Sequence, residues 1–314
     1  MNLRRPFFWN LKKPNLISYL LIPFTLPIII NNFFRKIKKK RKFSNIKLIC
    51  VGNIYLGGTG KTPLTIKLYQ IIKKISSKVV TAKKYYPNQV DEQILLKAKT
   101  TTIITKNRID AVNQALMNSN DILIFDDGLQ ENNINYDLKI VCFNRKNWIG
   151  NGLLIPSGPL REKIQSLKNY DIVFLNGIND GDDEIEKEIL KINPEIKIFN
   201  SYYEIKNLDK FDKKSNYLIF SGIGEPSSFK DILQKADFMI KKEITFPDHY
   251  IYKKNDIKNI LDEAKKIDAK ILTTEKDFVK LSDEDTKQID FLEIEPKIDN
   301  EKNLINFIND RIIK

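Results

Sequence analysis

The stretch from Ile49 to Pro63, ICVGNIYLGGTGKTP, constrains this chain more than any other. A short apolar run ends in a glycine-rich turn and Lys61-Thr62, and Leu64 to Ile72 continues at helical spacing. Glycines at 57, 58 and 60 let the backbone turn with its N–H groups facing inward, and the helix that follows adds the positive end of its dipole. This is the layout of a phosphate-binding loop, with Tyr55, Leu56, Gly57, Gly58, Thr59, Gly60, Lys61 and Thr62 as the nucleotide-binding residues. Lys61 would reach the β- and γ-phosphates, and the Thr62 hydroxyl would sit on Mg²⁺. Tyr55 stands six residues before Lys61, where the standard pattern has its first glycine, so the run is a GGxGKT variant.

A chain of 314 residues can bury a sizeable core and has room for two domains, and 42% hydrophobic with 30% charged residues marks it as globular. The formal charge of +13 fits a polyanionic partner, whether nucleic acid, anionic membrane or phosphorylated substrate; solvated surface lysine is the alternative in a sequence so rich in Lys, Asn and Ile. The nucleic-acid reading lacks any aromatic-basic module or helix-turn-helix pattern. Cys50 and Cys142 lie in apolar strand-like runs, as buried thiols of a reducing compartment do, and no CxxC or Cys/His cluster suggests a metal site.

Residues 3–42 have the make-up of a membrane-binding start. Arg4, Arg5, Lys12 and Lys13 precede the mostly apolar run Leu16 to Phe34, and the basic run Arg35 to Lys42 follows it. A helix from Asn15 to Phe34 would be roughly 30 Å long, enough to span a bilayer. Pro23 and Pro27 interrupt it and basic residues flank both ends, which favours a helix lying in or dipping into the cytoplasmic leaflet; an ordinary buried helix is the third reading. Each basic residue near an anionic surface contributes about 1 kcal/mol, so the basic run alone could anchor the chain. No small-residue cleavage site follows, so the segment does not read as a signal peptide.

From Ile46 on, strand and helix patterns alternate: strands at Ile46–Val51, Lys78–Lys83, Thr100–Thr105, Ile122–Phe125 and Leu138–Phe143, helices at Pro63–Ser76 and Arg108–Met117. This predicts an α/β fold like that of phosphate-loop NTPases, a mainly parallel sheet with helices on both faces, preceded by the membrane-associated helix and followed by a smaller C-terminal α/β domain. The divisions fall at 1–44, 45–214 and 215–314, the last after the lysine-rich segment Lys206 to Lys214. Asp121 to Gly128 reads as an apolar strand ending in two carboxylates, the position from which such folds hold Mg²⁺, although alone the same run is a common turn. Adjacent side chains on a strand point to opposite sides, so Asp126 is taken as the metal-side carboxylate and Asp127 as the one working through water or substrate. Gly150 to Glu162 is a glycine and proline loop carrying an Arg161-Glu162 pair, and Phe246 to Tyr250 is a polar loop holding the single histidine, His249.

Taken together these residues resemble the tetraacyldisaccharide 4′-kinase family of Gram-negative bacteria. The resemblance rests on Val51-Gly52-Asn53 with Gly57 to Pro63, Asp126-Asp127-Gly128-Leu129-Gln130, Pro156 to Glu162, Gly222-Ile223-Gly224-Glu225-Pro226, Phe246-Pro247-Asp248-His249 and Thr273 to Asp277, all in family order. It implies ATP and Mg²⁺ as cofactors and γ-phosphate transfer to the 4′-hydroxyl of the lipid A disaccharide precursor. The setting it implies is the cytoplasmic face of the inner membrane, an anionic surface, with the protein acting as a monomer without nucleic acid. It further implies Asp91 as general base with His249 as its partner, Glu162 beside the metal, and Lys83, Arg108, Gln130 and Arg161 as substrate contacts. Three motifs depart from the family: Ala82-Lys83-Lys84-Tyr85 replaces Ser-Arg-Gly-Tyr, Val90 replaces the Gly before Asp91, and Glu131 stands where the family has His. A membrane-docked switch or assembly ATPase is the rival reading, but such switches carry a lysine just before the two glycines, and here that residue is Leu56.

Overall fold

The computed structural model describes residues 5–313 apart from 132, 179, 180 and 182; Arg4 lies outside the described residues. In chain order the helices are α1 Leu16–Leu20, α2 Leu26–Ile37, α3 Lys61–Lys73, α4 Val90–Lys99, α5 Arg108–Met117, α6 Glu184–Ile192, α7 Pro226–Lys235, α8 Lys254–Lys266, α9 Glu275–Phe278 and α10 Glu301–Ile308. The strands are β1 Lys47–Gly52, β2 Val79–Lys84, β3 Thr102–Thr105, β4 Ile122–Asp126, β5 Leu138–Asn144, β6 Ile172–Asn176, β7 Lys197–Ile205, β8 Asn216–Ser221, β9 Met239–Thr245, β10 Lys270–Thr274, β11 Asp290–Leu292 and β12 Ile294–Ile298.

The chain packs as two compact units, and neither is one contiguous stretch. The larger holds Arg5–Tyr85, Lys99–Tyr202 and the chain from Pro296 on; the smaller holds Tyr86–Ala98 and Tyr203–Glu295. Among the described residues the first sheet has eight strands in the order β12-β7-β6-β5-β1-β4-β2-β3. β1 pairs in parallel with β4 and with β5, which sets Val51 beside both Asp126 and Ile140. Strand alternation then sorts the core. Ile49 and Val51 pack with Leu64, Leu68 and Ile72 of α3, whereas Leu48 and Cys50 pack on the other face with Ala111, Val112 and Ala115 of α5. Helices thus cover both faces of this sheet, which is why its central strands read as unbroken apolar runs.

In the smaller unit a four-stranded parallel sheet runs β11-β10-β8-β9. Phe229 and Leu233 of α7 bury one face, and Ile257, Ile260 and Ala264 of α8 bury the other. The N-terminal apolar run is not one helix. Pro23 opens a short 3-10 turn, Ile22–Thr25, and Pro27 opens α2, because proline suits the first turn of a helix and breaks its interior. Among the described residues no helix is long and apolar enough to cross a membrane.

Candidate functional site

The phosphate loop leaves β1 and enters α3 through Gly60, whose φ of 83° is a left-handed value that a side chain would strain. Asn53 ties the loop from inside, its Nδ2 donating to the Gly57 carbonyl at 3.3 Å and to Thr59 Oγ1 at 3.1 Å. The Gly150 to Glu162 segment braces its entry: the Leu56 N–H donates to Pro159 and the Arg161 N–H to Ile54, at 2.8 and 2.7 Å. Tyr55, in the place of the pattern's first glycine, is buried in the core of the larger unit, so packing absorbs that departure.

Asp126 ends β4 fully buried. Its Oδ2 accepts from Thr62 Oγ1 at 2.9 Å and from Lys83 Nζ at 2.7 Å, and its Oδ1 from Thr65 Oγ1 at 3.4 Å. Lys83 lies directly across from Asp126 in the β2–β4 register, and its side chain is 2% exposed. The structure therefore places Lys83, expected as a substrate contact, as the buried partner of Asp126.

Asp127 turns the other way, with a left-handed φ of 59°. Its Oδ1 is 3.5 Å from an Arg161 nitrogen, and Arg108 donates to its backbone carbonyl. Arg108 also lies 3.5 Å from Glu131, so the residue at the family's His position is here a carboxylate facing an arginine. Gln130 donates to the Asn53 carbonyl at 2.9 Å and to Glu162 at 3.3 Å, and it accepts from Arg161 at 3.3 Å. Glu162, expected beside the metal, is engaged by Arg35 at 3.5 Å and by the Tyr170 hydroxyl at 3.1 Å. Burial, and then the Glu162 charge, push the Tyr170 phenol well above its ordinary range.

The second cluster lies within the smaller unit. Asp91, in the first turn of α4, is 2% exposed and takes His249 Nδ1 on both oxygens, at 2.9 and 3.0 Å. Lys276 Nζ sits 3.0 Å from Asp248, 3.1 Å from Glu92 and 3.8 Å from Asp91. Lys280 Nζ lies 2.6 Å from Asp277 and 3.8 Å from Asp91, over the Tyr252 ring. Burial works against ionising Asp91, but the His249 hydrogen bond and the Lys276 charge outweigh it and hold this carboxyl below its usual range. Burial likewise opposes the charge on Lys276, and Glu92, Asp248 and Asp91 together raise its pKa. Gly222 anchors the histidine loop: its carbonyl accepts from the His249 N–H at 3.1 Å, and its own N–H donates to Asp277 at 2.9 Å.

Sequence reasoning counted Thr273 to Asp277 as a motif without assigning Lys276 a place, and it passed over Lys280. The signal available was two lysines four apart, one in a short helix and one just past its end.

A phosphate loop with a buried Thr-Asp pair on a parallel sheet, joined in one chain to a unit holding a hydrogen-bonded Asp-His pair, defines a nucleotide-dependent phosphotransferase. The family profile for tetraacyldisaccharide-1-P 4′-kinase matches residues 18–313, and the chain belongs to that family. The tetraacyldisaccharide 4′-kinase of Pelagibacter ubique strain HTCC1062 is 48% identical over 308 residues, which is 98% of this chain and 97% of that protein. That of Rickettsia canadensis strain McKiel is 33% identical over 329 residues, 98% of this chain and 96% of the relative. The crystal structure of LpxK from Aquifex aeolicus in complex with ATP has the same fold, with a TM-score of 0.69 at 22% identity over 95% of this chain and all of that one.

Proposed function

We infer that this chain transfers the γ-phosphate of ATP to the 4′-hydroxyl of a tetraacylated glucosamine disaccharide 1-phosphate, a step of lipid A biosynthesis. The family match carries the reading, and the Thr62–Asp126 pair at 2.9 Å behind a GGxGKT loop supports it. Lys61 and the loop N–H groups bind the β- and γ-phosphates and face the charge that develops on them. The hydroxyl oxygen of the sugar forms the new bond to phosphorus, the bond to the β,γ-bridging oxygen breaks, and the hydroxyl proton passes to Asp91. His249 orients that carboxylate through its Nδ1 and shares the proton. Asp127, Arg108, Gln130 and Arg161 hold the substrate's polar groups around the loop.

Mg²⁺ suits the residues present. Thr62 and Asp126 offer hard oxygen donors side by side, and among the described residues no group of three His, Cys, Asp or Glu could form a complete protein cage. These two residues would hold the ion, with Glu162 the outlying candidate. When bound, Mg²⁺ neutralises phosphate charge.

The work is done at the anionic cytoplasmic face of the inner membrane, by a monomer. Leu16, Leu20 and Phe24 are 75%, 67% and 65% exposed, and Phe33 and Phe34 of α2 are also exposed ahead of the basic run, a composition suited to lying in a leaflet.

The test is incubation with γ-labelled ATP, Mg²⁺ and the disaccharide precursor in mixed micelles. Label should appear on the lipid, and Lys61→Ala or Thr62→Ala should lower kcat by about 10²–10³-fold with the fold retained. Hydrolysis of ATP with unlabelled lipid would turn the reading to the switch ATPase, and normal transfer in either variant would remove the phosphate-loop assignment.

A further inference from the structure

The motifs Gly222 to Pro226 and Thr273 to Asp277 meet at the carboxyl ends of β8 and β10, neighbouring strands that set Phe220 beside Thr273. The chain parts there: β8 continues through α7 to β9 on one side, and β10 through α9 to β11 on the other. Open parallel sheets gather their functional groups at such a divergence. Asp277, fully buried, joins the two strand ends.

Both of its oxygens are in use. Oδ2 accepts from the Gly222 N–H at 2.9 Å and from Thr274 Oγ1 at 2.7 Å. Oδ1 accepts from the Tyr252 hydroxyl at 2.9 Å and lies 2.6 Å from Lys280 Nζ. Burial, and then the Asp277 charge, push the Tyr252 phenol far above its ordinary range, so it stays a donor.

Each oxygen also leads to the Asp91–His249 pair. Through Oδ2, Asp277 fixes the turn whose Gly222 carbonyl accepts from the His249 N–H at 3.1 Å. Through Oδ1 it holds an ammonium that stands 3.8 Å from Asp91 Oδ2. Lys276 Nζ is equally far from that oxygen, and Asp248 and Glu92 hold it at 3.0 and 3.1 Å. Each lysine beside Asp91 thus has a nearer carboxylate of its own. The other titratable groups facing Asp91 are His249, Glu92 and Tyr252.

Stability does not call for this arrangement. A buried ion pair is often no more stabilising than neutral packing of the same volume, and Thr274 Oγ1 already caps α9 by accepting from the Asp277 N–H at 3.1 Å. Position does call for it. Lys280 Nζ is buried and donates no hydrogen bond of good geometry among the described residues, so the nearest carboxylate steers its charge. Without the Asp277 charge that carboxylate would be Asp91, and the ammonium would compete with His249 and with an incoming hydroxyl for its lone pairs.

Resting on the reading of Asp91 as the proton acceptor, we propose that Asp277 is a positioning residue for the reaction: it holds Lys280 off Asp91 and fixes the turn that presents His249, without touching substrate.

The experiment compares Asp277→Asn, Asp277→Asn combined with Lys280→Met, and Asp91→Ala in the labelled-phosphate transfer assay. It also follows the His249 ring by NMR with isotope-labelled histidine, where the single histidine of the chain gives one assignable set of signals. Asp277→Asn should lower kcat by about 10²-fold with KM for ATP and lipid little changed, because the pair is displaced and the binding groups are not. The His249 Nδ1 resonance should shift with it. Adding Lys280→Met should recover about 10-fold or more of kcat and return the resonance toward its wild-type position, since no ammonium is left to occupy Asp91. A residue serving stability alone would lower the melting temperature and leave kcat of the folded protein and the resonance in place. Wild-type kcat in Asp277→Asn, or a loss that Lys280→Met does not relieve, overturns the proposal while Asp91→Ala has lost kcat. If Asp91→Ala keeps wild-type kcat, the acceptor reading itself fails. Should Asp277→Asn not fold, the combined variant, in which neither charge is stranded, decides alone: it should retain kcat within about 10-fold of wild type, and activity as low as that of Asp91→Ala overturns the proposal.

Discussion

His249 Nδ1 lies 2.9 Å from one oxygen of Asp91 and 3.0 Å from the other, across 158 residues of sequence and within one folding unit. A carboxylate held this way is a positioned acceptor. Asp91→Ala should lower kcat by about 10²–10⁴-fold, more than His249→Ala does. The double variant should be no worse than Asp91→Ala, because the pair acts as a unit. Steady-state kinetics decide it: multiplicative losses would show two independent residues, and wild-type kcat in Asp91→Ala would end the assignment.

The Asp91 carboxyl sits below its usual range in the folded protein, which fixes the sign of its pH response. A depressed carboxyl stabilises the fold above its unfolded pKa of about 3.9, and that stability is lost as pH falls through the lower folded value. The groups facing it are His249, Lys276, Lys280, Glu92 and Tyr252. Lys276→Met removes one cause of the depression and leaves the burial, so the acid limb of kcat should move to higher pH, and Lys276→Arg should move it back. An acid limb unchanged in Lys276→Met contradicts the role given to this lysine.

Lys83 and Asp126 are a buried ion pair at 2.7 Å with side chains 2% and 0% exposed. Removing one partner strands a charge, so Lys83→Met should cost about 3–5 kcal/mol in urea unfolding at constant m. A loss under about 1 kcal/mol would mean that the Thr62 and Thr65 hydroxyls suffice for Asp126.

Leu20, Phe24 and Phe33 are 67%, 65% and 60% exposed on the N-terminal helices. Changing all three to Ser should lower partition onto anionic vesicles with ATP affinity unaffected. Neutralising Arg35 to Lys42 should weaken the same binding most at low salt, since such contacts are screened. If chains without residues 1–42 bind vesicles as the whole chain does, the anchor is elsewhere.

A Cβ at Gly222 would lie 3.1 Å from Tyr252 Oη and 3.2 Å from both Asp277 Oδ1 and the Pro247 carbonyl. Gly222→Ala should therefore disturb the turn that carries His249, destabilising by about 1–3 kcal/mol and lowering kcat. Unchanged kcat and melting temperature would show that the turn yields without cost.

What the sequence determined alone was local. The glycine loop, its helix and the alternation of elements follow from spacing and residue type, and the helix Arg108–Met117 has the same ends by pattern and by structure. Strand ends differ by a residue or two, as at Lys47–Gly52, because side-chain periodicity marks a strand's faces better than its ends. Partnerships were decided by the tertiary structure. Lys83 meets Asp126 only because β4 inserts between β1 and β2 in the sheet, an order that no local pattern records. Tyr86–Ala98 packs with Tyr203–Glu295, so Asp91 gains Lys276 and Lys280 as neighbours from more than 180 residues away. The N-terminal apolar run shows the division within one segment: its two prolines announced a break, and only the fold decided that its apolar side chains would stay exposed. Burial is a property of what packs against a residue, and a strand or helix carries no record of that beyond the face it offers.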